Sequence, residues 1–225
     1  MLMKLTKWIF YHIMTFEEIY LYRITHIENV PHILQYGITH RKSPCANPDF
    51  KAIGDSSLIS FRESTILSCG GKSVALGEYI PFYFGVRMPM LYVIQHGGNF
   101  VPSSVKPDDI IYLVVNMKEV IGRIGDFCYF CDGHATDSFT HIYGPENFYM
   151  IPDLVNWTAV KALKWSGENV ERDLKRKKQA EFLVGQDIPK ECLYGYVCYS
   201  EKSKAKLVSY GIPDEKVKVF PKAYY

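Results

Sequence analysis

The chain has 225 residues, 48% hydrophobic and 22% charged, which fits one large or two small globular domains and excludes a disordered chain. A formal net charge of +2 excludes a uniformly basic nucleic-acid coat but permits a local patch, and lysine is concentrated in residues 161–178 and 202–222. No apolar run is long enough to span a membrane, and the six cysteines show no disulfide framework, so free thiols in a cytoplasmic protein are expected.

Residues 8–13 (WIFYHI) follow Lys4 and Lys7 in the manner of a signal start, but the run is short, carries His12 and has no small-residue cleavage site. Residues 1–19 are expected to be a leader, with Met14 a candidate second start. YLYRIT (20–25) reads as a strand that ends on His26. Residues 27–37 read as a short helix with Asn29 as cap, Pro31 in the first turn and Gly37 at its end. Residues 38–78 are rich in Ser, Pro, Asn and Gly and read as a long functional or mobile loop that carries Arg62.

YIPFYF (79–84) is strand-like, although Pro81 argues against a central position. Residues 87–92 read as a turn into a helix, 109–116 (DIIYLVVN) as the clearest buried strand, 118–121 as a short helix and 127–130 as another strand. The Asp132-Gly133 turn then puts Asp132 and His134 on a loop just past that strand. Cys128 and Cys131 have zinc-ligand spacing with His134 nearby, but Cys192 and Cys198 are a poor second pair. Helices are expected within 146–154, a strand at 193–199, a helix at 200–210 and a last strand at 216–220.

Residues 172–185 (RDLKRKKQAEFLVG) place one carboxylate, Glu181, between a cationic run and a short apolar one. That position suits a lone carboxylate in a cleft near positive charge, or an exposed strand end beside a solvated face. The whole reads as one α+β domain with a mixed, mostly antiparallel sheet. Aromatics make up 15% of the chain, which suits ring-stacking surfaces or a tyrosine-rich core.

Four segments, YRITHIEN (22–29), YIPFYFGVRMPML (79–91), CDGHA (131–135) and KQAEFLV (178–184), together resemble the DarT family of NAD-dependent DNA ADP-ribosyltransferase toxins. The resemblance spans residues 20–225, with two departures: Gly85-Val86-Arg87-Met88 replaces a shorter link, and Cys131 stands where threonine is common. It implies an ADP-ribosyltransferase-like fold, with two packed, twisted, mostly antiparallel sheets, peripheral helices and an NAD cleft.

Glu181 matches the family's catalytic glutamate, which binds a ribose hydroxyl and stabilises positive charge on the sugar. Arg62 matches an arginine of the NAD-covering loop that pairs with phosphate or acts on the incoming base. Arg23, Thr25 and His26 match the strand that meets NAD; His26 can equally be structural, and Asn29 can cap the helix or touch the ligand. Tyr83 can stack on nicotinamide or pack in the core. His134 and Asp132 are expected beside the DNA base, and Lys178 ends a cationic lead-in that can follow a phosphate backbone.

No metal is implied. Thymine is the favoured acceptor in single-stranded DNA and guanine the alternative, with blocked replication as the consequence. An RNA or protein acceptor is the second reading, and a catalytically silent nucleic-acid-binding module the third; the intact Glu181 motif argues against the last. A monomer opposed by a DarG-like macrodomain antitoxin, with no membrane attachment, completes the expectation.

Overall fold

A computed structural model describes residues 15–98, 101 and 103–225. The signal-like run at 8–13 and Met14 lie outside the described residues. Among the described residues there are ten strands: β1 (Tyr20–His26), β2 (Ile66–Cys69), β3 (Lys72–Ala75), β4 (Ile80–Tyr83), β5 (Ile110–Asn116), β6 (Cys128–Cys131), β7 (Ile142–Tyr143), β8 (Glu181–Val184), β9 (Leu193–Cys198) and β10 (Val217–Val219). Eight of them follow the order β10-β9-β5-β1-β4-β8-β6-β7, and β2-β3 form a separate hairpin. Every pairing is antiparallel except β9 with β10.

The two expected sheets are the two halves of this order, β10-β9-β5-β1 and β4-β8-β6-β7. Seven register pairs join β1 to β5, from Tyr20–Asn116 to His26–Ile110, whereas β1 and β4 share only the pair Tyr22–Tyr83. The halves therefore separate on either side of one contact. Both fill the same core: Leu21, Leu113 and Val115 pack with Phe82, Phe130 and Phe182. Each fully buried side chain of this size contributes roughly 1.5–3 kcal/mol. Alternation along β5 sends Ile110, Tyr112 and Val114 into a second core under the helix Pro89–His96.

Pro81 lies inside the sheet order, contrary to its sequence expectation, and the split explains it. The N and C=O of one strand residue point the same way. The Pro81 carbonyl accepts from Arg23 Nη1 at 2.9 Å, so its missing N–H faces the side where β1 has already diverged. A proline is tolerated there because no ladder donor is needed.

Residues 38–78 are also more ordered than expected. They hold the helix Ser56–Ser64 and the β2–β3 hairpin. The helix buries none of its residues, so it leaves no apolar periodicity to read. Its start is fixed by the Asp55 carboxylate, which accepts from the Ser57 and Leu58 amides at 2.9 and 3.1 Å. Gly37 ends the helix Val30–Tyr36 at φ 81°; a Cβ there would lie 2.2 Å from the Ile188 carbonyl oxygen, so only glycine fits.

Candidate active site

The split in the sheet fixes where Glu181 sits. It opens β8, directly opposite Tyr83 of β4 on one side and Cys131 of β6 on the other. With Tyr22 opposite Tyr83, the row Tyr22–Tyr83–Glu181–Cys131 crosses four strands on one face, away from the large core. The Glu181 side chain is 1% exposed. An unpaired carboxylate in such a place would be costly, and three groups meet it. Arg62 Nη1 donates to Oε2 at 2.8 Å, the Ala135 amide donates to Oε1 at 3.2 Å, and His134 Nε2 lies 3.9 Å from Oε1.

Arg62 reaches the carboxylate from the last turn of the Ser56–Ser64 helix, where a cation suits the helix dipole. Burial, the largest influence, pulls its pKa down, but the charge and hydrogen bond of Glu181, together with Tyr83 and Cys131, hold it above the ordinary arginine value. Its Nη2 is buried and makes no hydrogen bond among the described residues, which leaves a free donor beside the carboxylate. His134 is pushed the other way: burial lowers its pKa despite Glu181. Thr136 Oγ1 lies 2.7 Å from His134 Nδ1 and fixes the ring. The Tyr83 hydroxyl is raised by burial and then by the Glu181 charge, so it stays protonated.

The His134 loop is cross-linked to the chain that leads into β8. Arg176 donates through Nε and Nη2 to Asp173 at 2.6 and 2.9 Å, and through Nη1 to Asp132 at 2.9 Å. The His134 amide donates to the Arg176 carbonyl at 3.1 Å. Gly133 is required by this clamp, since a Cβ would stand 2.5 Å from Arg176 Nη1. Asp132 thus positions the loop; it also accepts from the His141 amide at 3.0 Å. Arg176 was missed as an individual in the sequence, where it is one cation in a run of them.

The first-strand residues separate. Arg23 binds the Pro81 carbonyl, and burial lowers its pKa to about 10, with Tyr83 and Arg62 near enough to act on it. Asn29 Nδ2 donates to Thr25 Oγ1 at 3.0 Å and to the Lys51 carbonyl at 2.9 Å, and its Oδ1 accepts from the Lys51 amide at 2.9 Å. Thr25 and Asn29 therefore pin the segment leading to the Arg62 helix. His26 Nδ1 accepts from the Glu28 amide at 3.2 Å, which is the structural alternative for that residue.

Lys178 is corrected outright. It is 3% exposed, and its ammonium donates to the Val160 carbonyl at 3.0 Å and the Val86 carbonyl at 3.4 Å. Burial, and then Arg87, lower its pKa to about 8. A cation held inside by carbonyls does not meet a phosphate backbone. The Cys128/Cys131 spacing also resolves: three residues apart on one strand, they face opposite sides, Cys128 into the large core and Cys131 beside Glu181.

A cavity of about 1050 Å³ opens at His134, walled by Leu58 and Phe61 of the Arg62 helix, by Met90 and Val93, and by Phe139. That exceeds the roughly 300–1,000 Å³ of one small-ligand pocket. Half-sheets that part at a single residue pair, with a buried glutamate at the parting and a cavity nearby, agree with the ADP-ribosyltransferase-like fold that the sequence resemblance implies.

The family model "ssDNA thymidine ADP-ribosyltransferase, DarT" matches residues 22–225. The DNA ADP-ribosyl transferase of Escherichia coli O127:H6 (strain E2348/69) is 29% identical over 187 residues, which cover 83% of each chain. That of Thermus sp. (strain 2.9) is 30% identical over 186 residues, covering 81% of this chain and 82% of the relative. The solved structure of Thermus sp. 2.9 DarT with ADP-ribosylated single-stranded DNA superposes with a TM-score of 0.76 at 25% identity, over 92% of this chain and 96% of that one. The chain belongs to the DarT family. Thermus sp. 2.9 DarT is also solved in complex with NAD+, with a TM-score of 0.71 at 25% identity over 92% of this chain and 97% of that one. In this chain the free Arg62 donor beside Glu181 suits a ligand that brings hydroxyl or phosphate oxygens.

Proposed function

We propose that the chain transfers ADP-ribose from NAD to thymine in single-stranded DNA, with Glu181 and Arg62 as catalytic residues. The carrying observation is the buried Glu181 carboxylate, held at 2.8 Å by Arg62 and set beside a cavity that His134 lines. When NAD binds, its nicotinamide–ribose bond supplies a leaving group and a sugar that gathers positive charge as the bond breaks. Glu181, fixed by the Arg62 guanidinium and the Ala135 amide, stabilises that charge without reorganising.

Arg62 keeps Glu181 in place and offers its free Nη2 to ligand oxygens. His134, kept neutral by burial, orients the base. Arg23 and Tyr83 form the NAD-facing wall, Tyr83 through its ring. Thr25, Asn29 and Asp132 act one step away by holding these segments. The name of the matching family model supports thymidine as the acceptor. A base in single-stranded DNA needs no extrusion from a duplex, which keeps the cost of presenting it low.

On this reading the protein works in the cytoplasm as a monomer with one catalytic domain from residue 20 onward, blocks replication and requires an antitoxin. A DNA ADP-ribosyl transferase–DNA ADP-ribosyl glycohydrolase fusion protein of Thermosipho africanus, 34% identical over 74% of this chain, supports a DarG-like macrodomain partner. The test is mass spectrometry of mixed-sequence single-stranded oligonucleotides after incubation with NAD, beside a Glu181→Ala control. A gain of one ADP-ribose located on thymine and absent in the control is expected. Transfer only to RNA or protein overturns the reading.

A further inference from the structure

Phe139 is the most exposed large apolar side chain among the described residues, at 77%, and it lines the same cavity as His134. Its loop is not loose. The Asp137 amide donates to the His134 carbonyl at 2.9 Å, the Asp137 carboxylate accepts from the Phe139 amide at 3.0 Å, and the Asp137 carbonyl accepts from the Thr140 amide at 3.0 Å. Arg176 then ties the loop at Asp132 and Thr140. An open phenyl ring is thus held five residues from His134 by successive hydrogen-bonded turns. Folding gains nothing from leaving that ring in water.

Charge nearby indicates what covers it. Arg172 and Lys175 line the cavity, both are exposed, and neither has an ion pair among the described residues. Asp173, the acid between them, is already taken by Arg176 and Lys177. The Lys175 ammonium lies over the Trp165 ring, 5.6 Å from its centroid, so its charge has an aromatic but no carboxylate partner. A flat apolar face beside cations without a carboxylate partner matches a nucleotide, whose base stacks while its phosphate meets the charge.

Resting on the proposed DNA reaction, we infer that Phe139 is the stacking platform for the base adjacent to the modified one, and so a specificity-determining residue distinct from the catalytic pair. It selects for the presence of a stacked neighbour more than for its identity, since every base has a π-face.

The test compares wild type, Phe139→Ala and Phe139→Trp on single-stranded oligonucleotides with one modifiable thymine. Parallel substrates carry an abasic site at each neighbouring position. NAD cleavage without DNA is followed as a control that does not use the platform. Phe139→Ala should raise the oligonucleotide KM by roughly 5- to 100-fold. Its kcat and its DNA-free NAD cleavage should stay near wild type, and Phe139→Trp should restore the KM.

An abasic neighbour should impose the same penalty on wild type and no further penalty on Phe139→Ala. An unchanged KM, or an abasic penalty that persists in the alanine variant, overturns the platform while leaving the DNA reaction standing. A wild-type enzyme that cleaves NAD but modifies no oligonucleotide overturns both.

Discussion

Arg62 and Glu181, 119 positions apart in the chain, meet at 2.8 Å with side chains 12% and 1% exposed. Removing one partner strands the other charge in a dry site, at a cost of about 3–5 kcal/mol. Glu181→Ala should therefore lower both activity and stability. ADP-ribosylation should fall at least ~100-fold, the order seen when a preorganised charge-stabilising group is lost. Thermal unfolding of the single variants and of Arg62→Ala/Glu181→Ala separates the effects. The double variant should lose less stability than the sum of the singles; simple additivity would show that the pair is not coupled.

Arg62→Lys keeps the charge but loses the planar fork that serves Glu181 with one nitrogen and leaves the other free. Steady-state kinetics should show at least a ~10-fold drop in kcat/KM, with stability closer to wild type than in Arg62→Ala. Wild-type kinetics in Arg62→Lys would reduce the arginine to a counter-ion.

His134 gives a pH dependence with a defined sign. Its folded pKa lies below the ordinary imidazole value of 6.5, chiefly through burial. Below 6.5 the unfolded chain binds the proton first, so stability falls as pH drops toward the folded value and is unaffected above 6.5. Denaturant titrations across this range should show a shallower acid-side decline in His134→Gln. An identical decline in both proteins would place the responsible proton elsewhere.

The burial of Lys178 separates it from the cations that face the cavity. Each phosphate contact to a single strand contributes about −0.7 to the slope of log K against log salt. Arg172→Ala and Lys175→Ala should each flatten that slope for oligonucleotide binding by about this amount. Lys178→Gln should leave it unchanged, and thermal unfolding should register the loss of contact to the Val86 and Val160 carbonyls instead. A flattened slope in Lys178→Gln would restore it as a phosphate contact.

Elements written in contiguous residues could be read before any fold was known. β5 was legible as an unbroken apolar run, and Pro31 with Gly37 bounded a helix through turn chemistry that acts within a few residues. β8 was legible as a short apolar segment behind one carboxylate, and its motif carried the family. Tertiary structure alone decided which distant groups converge. The Arg62 helix buries no residue and so has no periodic signature, yet it delivers the cation that makes a buried Glu181 tolerable. Lys178 reads as solvated within a cationic run because burying a charge is costly, and only carbonyls from two other segments offset that cost. The parting of the sheet at Tyr22–Tyr83 is likewise absent from either strand's residues. Periodicity and turn chemistry are local, whereas a charge pair or a broken ladder depends on how remote segments are brought together.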